Sequence, residues 1–146
     1  MIRKHKSEEI KQLVDIWEAA SSLAHPFLSD YFTQNVKKAM GDIYLPNSDT
    51  WVFEADGTLI GFISMMENEI GGLFISPNHH SKGIGTQLVK HVAQSHDSLE
   101  VEVFLENKIG RPFYEKKGFI PIKQYLHEET GEQVLRMRFI PLNENL

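Results

Sequence analysis

From Ser7 onward, Ile10, Leu13, Val14, Trp17 and Ala20 recur at steps of three and four residues, which sets them on one face of a first helix. Ser7 is placed to cap that helix, without a capping box, because Ile10 stands three residues on where Glu or Gln would be needed. Pro26 in AHPFLSDYF restricts the residue before it and breaks the pattern. A second helix is then predicted from about Ser29 to Met40, stopped by Gly41. The two helices read as cover for one side of a sheet.

The period then shortens from helical to alternating. In TWVFEADGTLIGFISMM two strand-like runs flank Asp56-Gly57, the pair a tight antiparallel hairpin favours. A third strand, EIGGLFIS, follows after a short connection. Its adjacent glycines, Gly71 and Gly72, predict a bulge or a close backbone approach. SPNHHSKG reads as a loop, and after Gly85 the residues Leu88, Val89, Val92 and Ala93 mark another helical stripe, ending near SHDS. LEVEVFLEN alternates again, with Val101, Val103 and Leu105 on one face and Glu100, Glu102 and Phe104 on the other, so Glu102 is expected in a buried strand. A short helix through RPFYEKKG keeps Pro112 in its first turn and ends at Gly118. FIPIKQYL and VLRMRFI are two final strands around HEETGEQ. The sum is a single α/β (α+β) domain over residues 1–146, with helices flanking a mixed sheet.

Bulk composition narrows the chemistry. The 146 residues suffice for one buried core, and the absence of cysteine excludes disulfides, thiolate metal sites and a cysteine nucleophile. The basic start MIRKHK runs into charged residues instead of an apolar segment, and no long apolar run follows, so neither export nor a membrane association is indicated and a cytoplasmic protein is expected. A net charge of -5, from 15 basic and 20 acidic residues, argues against nonspecific nucleic-acid binding. It leaves room for a local positive pocket built from HHSK, Lys108, Arg111, Lys116 and Lys117. Seven histidines are present, yet none falls in an H-E-x-x-H pattern, so no metal site is expected.

A strand, a glycine-rich loop and a helix start in sequence form an anion site, because unpaired backbone N–H groups converge where the helix field favours negative charge. HHSKGIGTQLV has this order, but GIGTQL lacks the third glycine of a dinucleotide fingerprint and no P-loop pattern occurs. Read alone, the two glycines serve either a turn or a phosphorylated ligand.

The segment His80-Ser81-Lys82-Gly83-Ile84-Gly85 resembles the pyrophosphate loop of the GCN5-related N-acetyltransferase (GNAT) family, with His80 where Gln or Arg is usual. A second block, ENKIGRPFYEKKGF, is similar to that family's Asn-x-x-Ala-x-x-Phe-Tyr-Glu-Lys-x-Gly-Phe signature: Asn107, Phe113, Tyr114, Glu115, Lys116, Gly118 and Phe119 match, and Gly110 takes the alanine position. The likeness extends to bacterial members that acetylate amines or protein lysines and is weakest over residues 20–50.

The resemblance implies a mostly antiparallel sheet with a splay between its two central strands, and acetyl-CoA as cosubstrate without a metal. Leu73, Phe74 and Ile75 would hold the acetyl-pantetheine end, His80 to Thr86 (His80, Ser81, Lys82, Gly83, Ile84, Gly85, Thr86) the diphosphate, and Asn107 the cofactor arm or a helix cap. Tyr114 would touch the cofactor and be the general acid for the departing thiolate, unless its ring only packs the helix. For the base, Glu102, His25, Glu67, Glu69 and a water relay all stay open. The acceptor, a small-molecule amine or a protein lysine, would be met by residues 17–45, with His25, Phe27 and Tyr31 in one segment, and by loops near Trp51 and Tyr125. A monomer or homodimer is expected, and acetyl is not distinguished from a longer acyl group. The competing class is an acyl-CoA-binding regulatory domain that has lost transfer.

Overall fold

The structure, a computed structural model, describes residues 1–141. Its centre is a seven-stranded sheet in the order β1-β2-β3-β4-β5-β7-β6. The strands and helices follow along the chain as β1 (Ile2–Lys4), α1 (Ile10–Ala24), α2 (Asp30–Ala39), α3 (Leu45–Asn47), β2 (Asp49–Ala55), β3 (Thr58–Met66), β4 (Glu69–Ile75), α4 (Ile84–Ala93), β5 (Leu99–Phe104), α5 (Gly110–Lys116), β6 (Ile120–His127) and β7 (Glu132–Phe139). Only the β4–β5 pair is parallel; the others are antiparallel. The mixed, mostly antiparallel sheet and its flanking helices agree with the expected fold.

The first helix starts differently from the expectation. Ser7 does not cap it but begins a 3-10 turn, Ser7–Glu9, and the Lys6 N–H donates to the Glu9 carboxylate at 2.9 Å. Glu9 also accepts from Arg3 at 2.7 Å, and Arg3 reaches Glu54 at 2.7 Å, which ties β1 and β2 to the helix start. β1 itself is too short for any periodicity to announce it; it joins the sheet by pairing Ile2 with Phe53 and Lys4 with Trp51.

Ser29, near which the second helix was expected to begin, proves to be its cap, accepting the Phe32 N–H at 3.1 Å. Gly41 does not stop the chain's winding. The helix widens into a π-helical turn, Met40–Tyr44, and runs on through α3, because Met40 and Leu45 are buried on that face. The hairpin between β2 and β3 turns on Asp56 and Gly57, both at positive φ (53° and 76°), as a type I′ turn requires.

Two apolar clusters cover the two faces of the sheet. Leu13, Val14 and Trp17 of α1 pack with Met40 and Leu45 on Val52 and Phe62. On the other face Ile84, Leu88, Val89 and Val92 of α4, with Tyr114 of α5, pack on Ile63, Ile70, Val101, Leu135 and Met137. The buried hydroxyls of Thr50 and Ser64 satisfy each other at 2.8 Å across β2 and β3. No helix among the described residues is long and apolar enough to cross a membrane.

The hydrogen bond from Arg3 holds the Glu9 carboxyl at about 2, below its ordinary 4.5. A lowered carboxyl contributes stability that is complete above the unfolded value and is lost as pH falls through the folded one. Glu9→Gln keeps an acceptor for Lys6 but removes the charge. It should lower the melting temperature at pH 7 by roughly 2–4 °C. The gap to the wild type should close between pH 4.5 and 2; an equal gap at both ends of that range would contradict the assignment.

Candidate active site

β4 and β5 pair only through Glu69 with Glu100 and Ile70 with Val101, and then part. Just past the parting, β4 slips register against β3, since Ser64 faces Gly72 while Met65 faces Ile70, leaving Gly71 as the extra residue. The paired glycines thus mark the predicted bulge. Beyond it Gly72–Ile75 stay paired to β3 on one edge. On the other edge alternate amides and carbonyls face the opening, where β5 no longer meets them. A cleft of about 480 Å³ occupies that opening and extends between α4 and α5.

At the far end of β4, Pro77–His79 form a 3-10 turn that leads into α4. Ser81 and Gly83 take positive φ (65° and 78°), so the chain reverses and leaves the first N–H groups of α4 without helical partners. The two glycines have separate duties. Gly83 permits the left-handed turn, whereas a Cβ on Gly85 would lie 3.2 Å from the Phe113 ring, so Gly85 permits the close approach of α4 to α5. His80, which replaces the usual Gln or Arg, turns inward: its Nε2 donates to the Ile75 carbonyl at 2.8 Å and fastens the loop to the strand end.

Leu73, Phe74, Ile75, His80, Ser81, Gly83, Ile84, Gly85, Thr86, Asn107 and Tyr114 all line the cleft. Lys82 is not among its lining residues; its ammonium lies 3.3 Å from His79 Nδ1 on the exposed side of the loop. Of the basic residues expected nearby, Lys116 and Lys117 line the cleft, while Arg111 is drawn to the Leu105 carbonyl at 3.0 Å. Phe113, a match to the second block with no role assigned from sequence, forms the wall between α4 and α5.

Tyr114 is buried between the rings of Phe113 and Phe119, with centroids 5.2 and 5.1 Å away. Burial pushes its hydroxyl above the ordinary phenol value, and no other group acts on it in either direction. It therefore stays a proton donor at neutral pH. Asn107 is also buried. Its Oδ1 accepts the Ile109 and Gly110 N–H groups at 3.1 and 2.8 Å, and its Nδ2 faces His25 Nε2 at 3.2 Å. Its capping role is therefore plain, and Nδ2 keeps a second hydrogen beyond the one facing His25.

The candidate bases do not gather at one point. His25 lies at the end of α1 with Nδ1 3.0 Å from Ser21 Oγ, and burial lowers it to about 4. Glu102 is exposed on the face opposite the buried Val101 and Val103, and accepts a hydrogen bond from Tyr125. Its neighbours on the same face are Glu100 and Arg136. The latter spans from β7 to Glu100 at 3.1 Å and on to Glu69 of β4 at 3.4 Å. Hydrogen bonds from Arg138 first, then from Arg136, hold the Glu100 carboxyl below its ordinary value. Glu69 is thus committed to an ion pair at the closed end of the splay, and Glu67 lies in the preceding turn. Sequence reasoning missed Arg136. The alternation in VLRMRF, opposite LEVEVF, is the signal that would have paired arginines with glutamates.

In the segment expected to meet the acceptor, Phe27 joins His25 and Phe104 in edge-to-face contact, whereas Tyr31 is 81% exposed and takes no part. Trp51 itself packs against His91 of α4, because its alternation in β2 points it to that face. Among the described residues no group of three metal-ligating side chains occurs.

With this geometry in view, the comparisons with known proteins are specific. Residues 46–121 match the acetyltransferase (GNAT) domain family. The peptidyl-lysine N-acetyltransferase YiaC of Escherichia coli is 32% identical over 131 residues, 89% of this chain and 90% of that protein. The solution structure of apo-form YjaB from Escherichia coli superposes with a TM-score of 0.87 at 25% identity, over 97% of this chain and 98% of that one. The fold is shared too with a PaiA N-acetyltransferase from Thermoplasma acidophilum in complex with coenzyme A, at a TM-score of 0.78 and 20% identity, over 95% of this chain and 98% of that one.

Gly85→Val forces a branched side chain into the Phe113 ring and the cleft. Coenzyme A affinity, measured by calorimetric titration, should fall at least about tenfold, while the circular-dichroism spectrum stays that of the wild type. Wild-type affinity in the variant would remove Gly85 from the binding wall.

Proposed function

The chain belongs to the GNAT acetyltransferase family, and on that premise we propose that it is an N-acetyltransferase acting by direct transfer from acetyl-CoA to a primary amine, the acceptor being a lysine side chain of a protein or peptide. The observation that carries the reading is the splay of β4 from β5 beside the unpaired start of α4, with Tyr114 in its wall. The lysine acceptor is supported by the relatives YiaC and YjaB, both named as peptidyl-lysine N-acetyltransferases.

The residues present fit the donor. The amides following Gly83 suit a diphosphate, the more so with Lys116 and Lys117 lining the same cleft. The open edge of Gly72–Ile75 suits an extended arm bearing amide groups, as an added strand would be held. When bound, acetyl-CoA supplies a thioester carbonyl to be attacked.

The chain's own groups then have definite tasks. The β4 amides donate to the carbonyl oxygen as it gains negative charge. As the C–N bond forms and the C–S bond breaks, Tyr114 gives its proton to the departing sulfur and regains one from solvent. The amine must lose a proton as well. Glu102, exposed and beside the splay, takes it through water, with Tyr125 fixing the carboxylate. Phe27 and the end of α1 form the wall that the acceptor would pass.

Tyr114→Phe should lower kcat by about 10²-fold or more while leaving acetyl-CoA binding unchanged. Because burial raises the hydroxyl, the acid form persists as pH rises, so wild-type kcat should show no alkaline fall below about pH 10. An unchanged kcat in the variant would remove Tyr114 as the acid. Thiol release with acetyl-CoA should depend on lysine peptides, and mass analysis should find one added acetyl group. Dependence on small amines alone would transfer the acceptor assignment to metabolites, and binding without amine-dependent release would identify a regulatory acyl-CoA domain. Loss of the rising pH limb in Glu102→Gln identifies the base; an intact limb leaves water alone.

A further inference from the structure

The amide of Asn107 has only one possible orientation. Its Oδ1 already accepts two backbone N–H groups, those of Ile109 and Gly110, so its NH₂ must point to His25. That amide group can only donate. His25 Nε2 must therefore be the unprotonated, accepting nitrogen, and Nδ1 carries the hydrogen and donates to Ser21 Oγ. Both ring nitrogens are engaged, and neither lone pair is free to take a proton from an acceptor amine.

The contact is also long in sequence, joining the end of α1 to the turn after β5 across 82 residues. On one side of it lies the acceptor-facing segment: His25 packs edge-to-face on Phe27 and Phe104, at 5.9 and 5.1 Å, and Phe104 packs on His127 at 5.6 Å. On the other side lies α5, seven residues long, too short to hold its direction without help from its ends. Asn107 is that help at the N-terminal end, and Tyr114 lies one turn beyond Gly110 on the same helix face.

We infer that His25 is a positioning residue: its Nε2 locks the Asn107 amide and thereby aims α5 and the Tyr114 hydroxyl. The inference rests on the transfer reading given above for Tyr114, but the lock itself is a property of the fold. It also accounts for Gly110, which stands where the family pattern has alanine. A Cβ there would lie 2.6 Å from Asn107 Nδ2 and 3.1 Å from its Cγ, so an alanine would displace the amide from His25.

Three variants test the lock. His25→Phe keeps a ring on Phe104 but offers Asn107 no acceptor; His25→Gln restores one with its amide oxygen; Gly110→Ala pushes Asn107 away directly. Hydrogen exchange at the Ile109 and Gly110 amides should accelerate at least about tenfold in His25→Phe and Gly110→Ala, and stay near the wild type in His25→Gln. In steady-state assays with acetyl-CoA and a lysine peptide, His25→Phe should lower kcat about tenfold or more with acetyl-CoA KM nearly constant, and His25→Gln should recover most of it. His25→Phe and Gly110→Ala should not add, since either alone releases the same amide.

Unchanged exchange at the two amides in a folded His25→Phe protein overturns the lock, whether or not any acceptor has been found. So does additivity of the two substitutions in kcat. If the wild type shows no amine-dependent thiol release, the transfer reading fails by itself, and the exchange data still decide for or against His25.

Discussion

The parting of β4 from β5 is the constraint from which the rest of the molecule follows. Two paired residues hold the strands together, and beyond them a strand lies with one edge bonded and the other bare. Bare backbone groups inside a protein are costly unless something meets them. The opening is consequently a place where a chain-like ligand can lie, and every nearby feature sets its width. Arg136 clamps the closed end by bonding Glu100 and Glu69 together. His80 ties the far end of β4 to the loop above it, and Phe113 holds α4 and α5 at the spacing Gly85 allows.

This division also explains the arrangement of the core. The cluster under α4 and α5 contains Tyr114 itself, so the proposed proton donor is part of the packing that supports it. The cluster under α1 supports the opposite face and ends near Phe74. The cleft passes between them, with Ala20 and Ala24 of α1 on one wall and Pro112 and Phe113 on the other. Small residues at the end of α1 keep that wall low.

Much of this was legible in the chain because it is encoded locally. Asp56-Gly57 can hardly be anything except a tight turn, Gly71-Gly72 announces irregular backbone, and the two signature blocks locate both the anion loop and Tyr114. The failures have a common physical cause. A three-residue strand such as β1 carries no period, and Gly41 stops a helix only when nothing is gained by continuing, whereas here Met40 and Leu45 gain burial. Alternation put Glu102 on the face opposite Val101 and Val103, where it is exposed, but alternation gives a face and not the partners found there. The bond between His25 and Asn107, and the span of Arg136 over three strands, depend on tertiary neighbours that no local pattern contains.

The place of β7 has an implication for biosynthesis. Among the described residues β6 bonds only to β7, and β5 has just two residues paired with β4 before it too relies on β7. A chain emerging from the ribosome therefore exposes β5 and β6 with unpaired edges until residues 132–139 have followed. The glycine loop and its helix precede that point in the chain, whereas the half of the sheet that carries α5 closes only once β7 is in place.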